Sequence, residues 1–308
     1  MDIFSIILII AGLCLFETIA SIDNAIINAE VLSTMSQKAR RWFLVWGLLF
    51  AVFVIRGALP WLIVWMSTPS LGPVGAFTAT FSSDPAVVAA IGQSAPILLI
   101  AGGIFLIFLF FHWLFLEEKA FGLRGERYIA TKGVWFFAIV SILLAAIVWL
   151  ALGKNPMMAF GAVIGSTAFF IVHGFRQNAE EQERKMVSGN ITDVSKIFYL
   201  EIIDATFSID GVLGAFAFTM AVPLIIIGNG IGAFIVREIT IRNVDSIKKY
   251  RYLKNGAMYS IFCLGIIMIL DSFGFEIPSF VSPIITFGVV GYFLYMSIRA
   301  GPKEETAC

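Results

Sequence analysis

Two stretches carry acids where acids are costly. Glu17-Thr18-Ile19-Ala20-Ser21-Ile22-Asp23-Asn24 and Asp204-Ala205-Thr206-Phe207-Ser208-Ile209-Asp210-Gly211 both read acid, three residues, Ser-Ile-Asp. Each sits inside an apolar run long enough to cross a bilayer. A carboxylate at that depth costs about 2.5–3.5 kcal/mol on insertion scales. With Glu201 added, the acids would cost on the order of 10–15 kcal/mol facing lipid. They are therefore expected to face one another, a wet cavity or a bound cation.

Residues at i, i+4, i+7 and i+11 share a helix face. In the first stretch that face carries Glu17, Ser21, Asn24 and Asn28; in the second, Glu201, Asp204, Ser208 and Gly211. Asp23 and Asp210 fall about 120° from Glu17 and Asp204 on a straight helix. A break near Ser-Ile-Asp would bring both acids of a stretch to one point and free main-chain carbonyls as ligands. Gly211 and Gly214 favour the break in the second stretch over the first. Carboxylate, hydroxyl and amide oxygens with no thiolate or imidazole suit magnesium, calcium or manganese. The expected metal ligands are Glu17, Ser21, Asp23, Asn24, Asp204, Ser208 and Asp210. Glu201, Asn229, Arg56 and Arg237 are expected to support them, the arginines as counter-ions or carbonyl ligands. His112 and His173 read as lone histidines.

The elements that must position these residues are spans. The chain has 308 residues, 59% hydrophobic and 14% charged, with a mean hydropathy of +0.92. Soluble domains carry roughly 25% charged residues. The expected class is an all-α polytopic membrane protein. Nine runs have spanning length: roughly 3–31, 42–66, 96–116, 133–152, 156–175, 196–220, 222–242, 257–274 and 278–298. Eighteen of the 21 Lys and Arg then fall on one side, which predicts an outer N-terminus and a cytoplasmic C-terminus in the plasma (inner) membrane. Segment 67–95 is expected to be an outer loop with a short helix near 86–93. Segment 176–195 is expected to be a solvated helical extension and linker, and the Phe-rich run 105–115 to face lipid. Cys14, Cys263 and Cys308 form no disulfide or metal-thiolate pattern, and the start lacks the basic region of a cleaved leader.

The spans form two halves. Gly47 precedes Arg56 by nine residues, as Gly228 precedes Arg237. An odd number of spans in the first half puts the second motif helix antiparallel to the first, so the halves are expected to be inverted repeats, a layout that builds a site at the repeat interface. The expected organisation is a first membrane repeat over 1–152, a linker helix and cytoplasmic loop over 153–195, and a second repeat with a short tail over 196–308.

At these residues the chain resembles the TerC-like family of integral membrane proteins, associated with tellurium resistance and manganese export, and within it a branch of unknown function. That family's motif of an acid followed by Leu-Ser-x-Asp-Asn is similar to Glu17 through Asn24, with Ala20 in the Leu position. Its Asp-x-x-Phe-x-x-Asp-Ser is similar to Asp204, Phe207 and Asp210, with Gly211 in place of Ser. Its Asn and the Arg eight residues later match Asn229 and Arg237. Tyr252-Leu253-Lys254-Asn255-Gly256 and Ile277-Pro278 match two further signatures. The resemblance covers about 1–116 and 196–298. It implies manganese or a similar cation as cargo, with the motif acids as ligands.

The expected function is a secondary transporter, working as an exporter of a divalent cation such as manganese and coupled to protons. Moving a divalent cation out against a negative interior costs about 4.6 kcal/mol per 100 mV, so export needs a coupled flow. A metal-sensing or stress-response membrane scaffold is the alternative. An intramembrane aspartyl hydrolase is a further one, opposed by the absence of a Gly-x-Gly-Asp motif; no Gly-x-Ser-x-Gly elbow is present either. No enzyme activity and no resident cofactor are expected. The partners are the metal ion and membrane lipids, not nucleic acid.

Overall fold

A computed structural model of the chain describes residues 2–47, 50–79, 82, 84–188, 192–242 and 249–301. The side chains of some helical residues, Asp23, Asn24 and Phe207 among them, lie outside the described set.

The described chain is helical, with no strand. α1 (Ile3–Ala20) and α2 (Ile22–Ser33) are separated only by Ser21. α3 (Gln37–Trp42) leads into two π-helical stretches, π1 (Phe43–Gly47) and π2 (Phe50–Ala58), and then α4 (Leu59–Ser67). α5 (Gly72–Thr78) precedes the long α6 (Pro85–Leu116). A short α7 (Glu126–Ala130) and α8 (Trp135–Leu152) lead to α9 (Pro156–Ser188). α10 (Asp193–Ala215), α11 (Val222–Arg242), α12 (Leu253–Ser272) and α13 (Val281–Ala300) complete the order. Among the described residues, six helices are long and apolar enough to cross a membrane: α1, α6, α8, Pro156–Asn178 of α9, α12 and α13. The chain is therefore read as an all-helical membrane protein. The other expected spans fall on π1 to α4, on acid-bearing α10 and on α11.

The run 42–66 is not one regular helix. Pro60 has no N–H to give the carbonyl of Arg56 four residues back, and its ring crowds that carbonyl. The backbone takes the wider π form through Phe50–Ala58 instead. π segments of this kind are rare and often mark functional positions. The expected short helix near 86–93 is the opening of α6, capped by Asp84, whose Oδ1 accepts from the Ala86 N–H at 2.9 Å.

The Phe-rich run does not face lipid. α6 packs along α12 and α9, and Phe105, Phe108, Phe110 and Trp113 are buried. Lipid is as apolar as phenylalanine, so apolarity says nothing about which way a membrane helix faces. Glycines set the fit: a Cβ on Gly161 would stand 2.8 Å from the Ile97 carbonyl oxygen, and one on Gly165 would overlap the Ala101 backbone.

The end of α6 is closed by charge. Glu117 meets Lys254 Nζ at 3.0 Å and His112 Nδ1 at 3.4 Å. Burial alone would raise its carboxyl, but the His112 ring and the Lys254 ammonium outweigh burial and hold it well below the usual range. Lys119 Nζ donates to the last α6 carbonyls, those of Trp113 at 2.6 Å and Leu114 at 2.5 Å. Burial, partly offset by Glu126 and Glu117, lowers its ammonium to about 8. Buried Glu126 accepts from Gly122 N–H at 2.7 Å, Asn255 Nδ2 at 3.1 Å and the Tyr259 hydroxyl at 3.0 Å. Asn255 of the Tyr-Leu-Lys-Asn-Gly signature thus ties this loop to α12. His112 and His173, read as separate histidines, pack with ring centroids 3.8 Å apart.

Candidate functional site

Glu17 is 1% exposed. Its Oε1 accepts from Arg56 Nε at 2.7 Å and from the Ser21 hydroxyl, one turn on, at 2.7 Å. Arg56 is 3% exposed and reaches Asp204 Oδ2 through Nη1 at 3.2 Å. One guanidinium from π2 therefore bridges an acid of the first stretch and an acid of the second. Two carboxylates that would repel at low dielectric are held together by the charge between them.

Three helices make room for this cluster. A Cβ on Gly211 would stand 2.5 Å from Glu17 Oε2, and one on Gly232 2.7 Å from Glu17 Cβ. The Glu17 side chain thus lies between α10 and α11, in space two glycines leave open. Gly211 leaves room for the carboxylate it faces. Replacing it by Ala is expected to lower stability by about 1–3 kcal/mol, the usual cost of overpacking. Thermal unfolding in detergent measures the loss, with Gly288→Ala as the control, since a Cβ there meets nothing within 4 Å. Equal unfolding of the two variants would remove the cradle.

α10 is anchored where it begins. Asp193 Oδ2 accepts from the Ser36 hydroxyl at 2.5 Å, and Lys196 Nζ donates to Thr34 Oγ1 at 2.8 Å. These bonds fix α10 against the end of α2. Further along, the Ser208 hydroxyl donates to the Asp204 main-chain oxygen at 2.6 Å, so it turns back onto its own helix. Asp210 Oδ2 accepts from Arg176 Nη2 at 2.6 Å. Beside this pair lies a small cavity between α1, α2, α9, α10 and α12, lined by Arg176, Asp210, Lys254, Ile19 and Met258 among others.

Arg176 is a site residue that the sequence reading placed in a solvated extension. α9 runs unbroken through it, so the end of the apolar run is not the end of the packed face. The available signal was the helical spacing of His173 and Arg176, three residues apart on one face.

The structure joins Glu17, Ser21, Arg56 and Asp204, and pairs Asp210 with Arg176. The side chains of Asp23 and Asn24 lie outside the described residues. Glu201 has both carboxyl oxygens buried without a hydrogen-bond partner, and fully buried Asn229 has neither amide atom bonded. Arg237, the sequence counterpart of Arg56, has its Nε buried without a hydrogen-bond partner. Among the described residues no three of His, Cys, Asp and Glu converge on a point that could hold a metal ion. Among the described acids, Glu17 and Asp204 share Arg56, and Asp210 pairs with Arg176.

The helix break also differs from expectation. α10 is continuous through Ser208-Ile209-Asp210, and the interruption falls in the first stretch, at Ser21. Ser21 has φ −91° and ψ 4°, and its N–H is shared between the Glu17 and Ile19 carbonyls. Gly211 and Gly214 serve packing: a Cβ on Gly214 would overlap the Phe16 ring, as one on Gly211 would crowd Glu17. Close approach of helices is the common use of glycine in membrane interiors.

A family model described as "Protein of unknown function (DUF475)" matches residues 22–304. No curated protein and no solved structure matches the chain.

Proposed function

We propose, for a chain that belongs to the DUF475 family, the function of a secondary transporter of a divalent cation such as manganese, working as a proton-coupled exporter. The observation that carries this reading is the meeting of Glu17 and Asp204, one from each Ser-Ile-Asp stretch, around one buried guanidinium. Oxygen donors are the chemistry a hard divalent cation takes. Acids kept in a membrane interior mark ion pathways. The likeness of both stretches to TerC-like motifs supports the same cargo.

In this reading the nine spans form two inverted repeats with an outer N-terminus and a cytoplasmic C-terminus in the plasma (inner) membrane. Glu17, Asp204 and Asp210 are cargo ligands, with Ser21, Asp23, Asn24 and Ser208 completing the set. Arg56 and Arg176 are resident counter-ions that cargo must displace. A cation that replaces a guanidinium between two carboxylates keeps them neutralised, so uptake costs little Coulomb energy. The protein performs no covalent chemistry.

Asp23→Asn and Asp210→Asn are each expected to abolish manganese efflux from loaded cells or vesicles while leaving the protein in the membrane. Efflux at the wild-type rate in both variants would overturn the proposal.

A further inference from the structure

Glu201 is a carboxyl group that the ion-pair network leaves out. Its residue is half-buried, yet both oxygens are enclosed and lack any hydrogen-bond partner. Gly47 of π1 closes over it so tightly that a Cβ there would overlap Oε1. An ionised carboxylate enclosed without donors is among the costliest arrangements in a protein interior, and such a group takes up a proton instead.

The charges acting on it are Asp204 on its own helix and Arg56 across the interface. Lys196 is committed to Thr34, Arg40 to the Leu32 carbonyl and Arg176 to Asp210. Arg237 of α11 stands outside the network, beside Glu238. Glu201 and Asp204, three residues apart, share a face of α10 with about 5–6 Å between their Cβ atoms. The guanidinium held by Asp204 at 3.2 Å is therefore about one helical turn from a second seat.

We propose that Glu201 is the proton-binding residue of the site and the alternative seat of Arg56. A cation arriving at Glu17 and Asp204 displaces the guanidinium, which moves to Glu201 as that group releases its proton. The charges balance. Without cargo, two carboxylates against one guanidinium leave one negative charge, with Glu201 neutral. With a doubly charged cation bound and Glu201 ionised, the set is neutral. The cargo step rests on the transporter reading; the proton assignment does not. Gly47 of π1 and Arg56 of π2, nine residues apart in sequence, act as a pair: one encloses the acid and the other carries the charge that replaces its proton.

The test is infrared difference spectroscopy on the full chain in detergent, with Mn2+ as the probe, alongside Mn2+ affinity measured across pH. The expected result is a carboxylic-acid carbonyl band in the metal-free protein that disappears on adding Mn2+ and is missing from Glu201→Gln. Releasing one proton per cation tightens binding about tenfold per pH unit. That slope is expected in the wild type and lost in Glu201→Gln. A band that survives in Glu201→Gln, or an unchanged pH slope in that variant, overturns the proposal. Should Glu201→Gln not fold, Gly47→Ala keeps the acid but crowds Oε1: a shifted band supports Glu201 as its source, and an unshifted one refutes it. A wild type that shows the Glu201 band but binds no Mn2+ removes the cargo reading and upholds the proton site.

Discussion

Arg56→Gln is expected to remove about 3–5 kcal/mol of stability, the usual loss when one partner of a buried ion pair is deleted. The cost is high because Arg56 serves two acids: Glu17 Oε1 at 2.7 Å and Asp204 Oδ2 at 3.2 Å. Without it, two carboxylates face each other with no positive group between them. Lys at 56 keeps the charge but loses the planar fork that reaches both acids, so its loss should be intermediate. Adding Glu17→Gln to Arg56→Gln removes the repulsion and should recover part of the stability. The transporter reading adds a sharper expectation, since Mn2+ then fills the place of the guanidinium. Binding at a hundredfold excess over Kd stabilises by about 2.7 kcal/mol, so Mn2+ should raise the Tm of Arg56→Gln more than that of the wild type. Thermal unfolding in detergent, with and without Mn2+, reads both effects. An Arg56→Gln variant as stable as the wild type would mean that the pairs contribute nothing. A variant that is destabilised but blind to Mn2+ would leave the ion-pair account standing and remove the cation.

The legible part of this molecule is what local spacing controls. Glu17 and Ser21, four residues apart, share a face by helix geometry alone, and they hydrogen-bond. The recurrence of acid and Ser-Ile-Asp in two apolar runs announced that the two stretches belong together, and Glu17 and Asp204 meet through Arg56. What pattern could not give is direction in an apolar medium. Phe105 and Phe108 read as lipid-facing bulk and are buried, because the membrane removes the contrast that tells inside from outside in a soluble protein. Gly211 read as a hinge and proves to be a contact point, since a missing side chain can permit either bending or close approach. The π-helical run Phe50–Ala58 was hidden because Pro60 perturbs the carbonyls before it, not its own position. Arg176 was misplaced for a related reason. Polarity marks where an apolar run stops, but a long side chain at a helix end can reach back along apolar surface to a buried partner.

That reach makes the Arg176–Asp210 pair the second large effect. Arg176→Gln leaves the Asp210 carboxylate buried without its cation, whereas Asp210→Asn leaves a guanidinium near the end of an apolar helix segment, from which it can turn toward polar surroundings. The two losses should therefore be unequal. Arg176→Gln is expected to cost about 3–5 kcal/mol, in the range for an uncompensated buried charge, and Asp210→Asn less. The double variant should fall near Asp210→Asn, so the coupling should nearly equal the Arg176→Gln loss of about 3–5 kcal/mol, at or above the upper end of the roughly 0.5–3 kcal/mol seen for contacting pairs, because the bond is 2.6 Å long and both groups are largely enclosed. Stability in detergent of the two single variants and the double variant completes the cycle. The asymmetry carries the physical content. If Asp210→Asn were the costlier change, the guanidinium would be the trapped charge and Asp210 its solvent. Arg176 would then be structural, and cargo could not gain Asp210 by displacing it. If Arg176→Gln is the costlier change, the carboxylate is the trapped charge, and a cation entering beside Ile19 and Met258 has a reason to stop there.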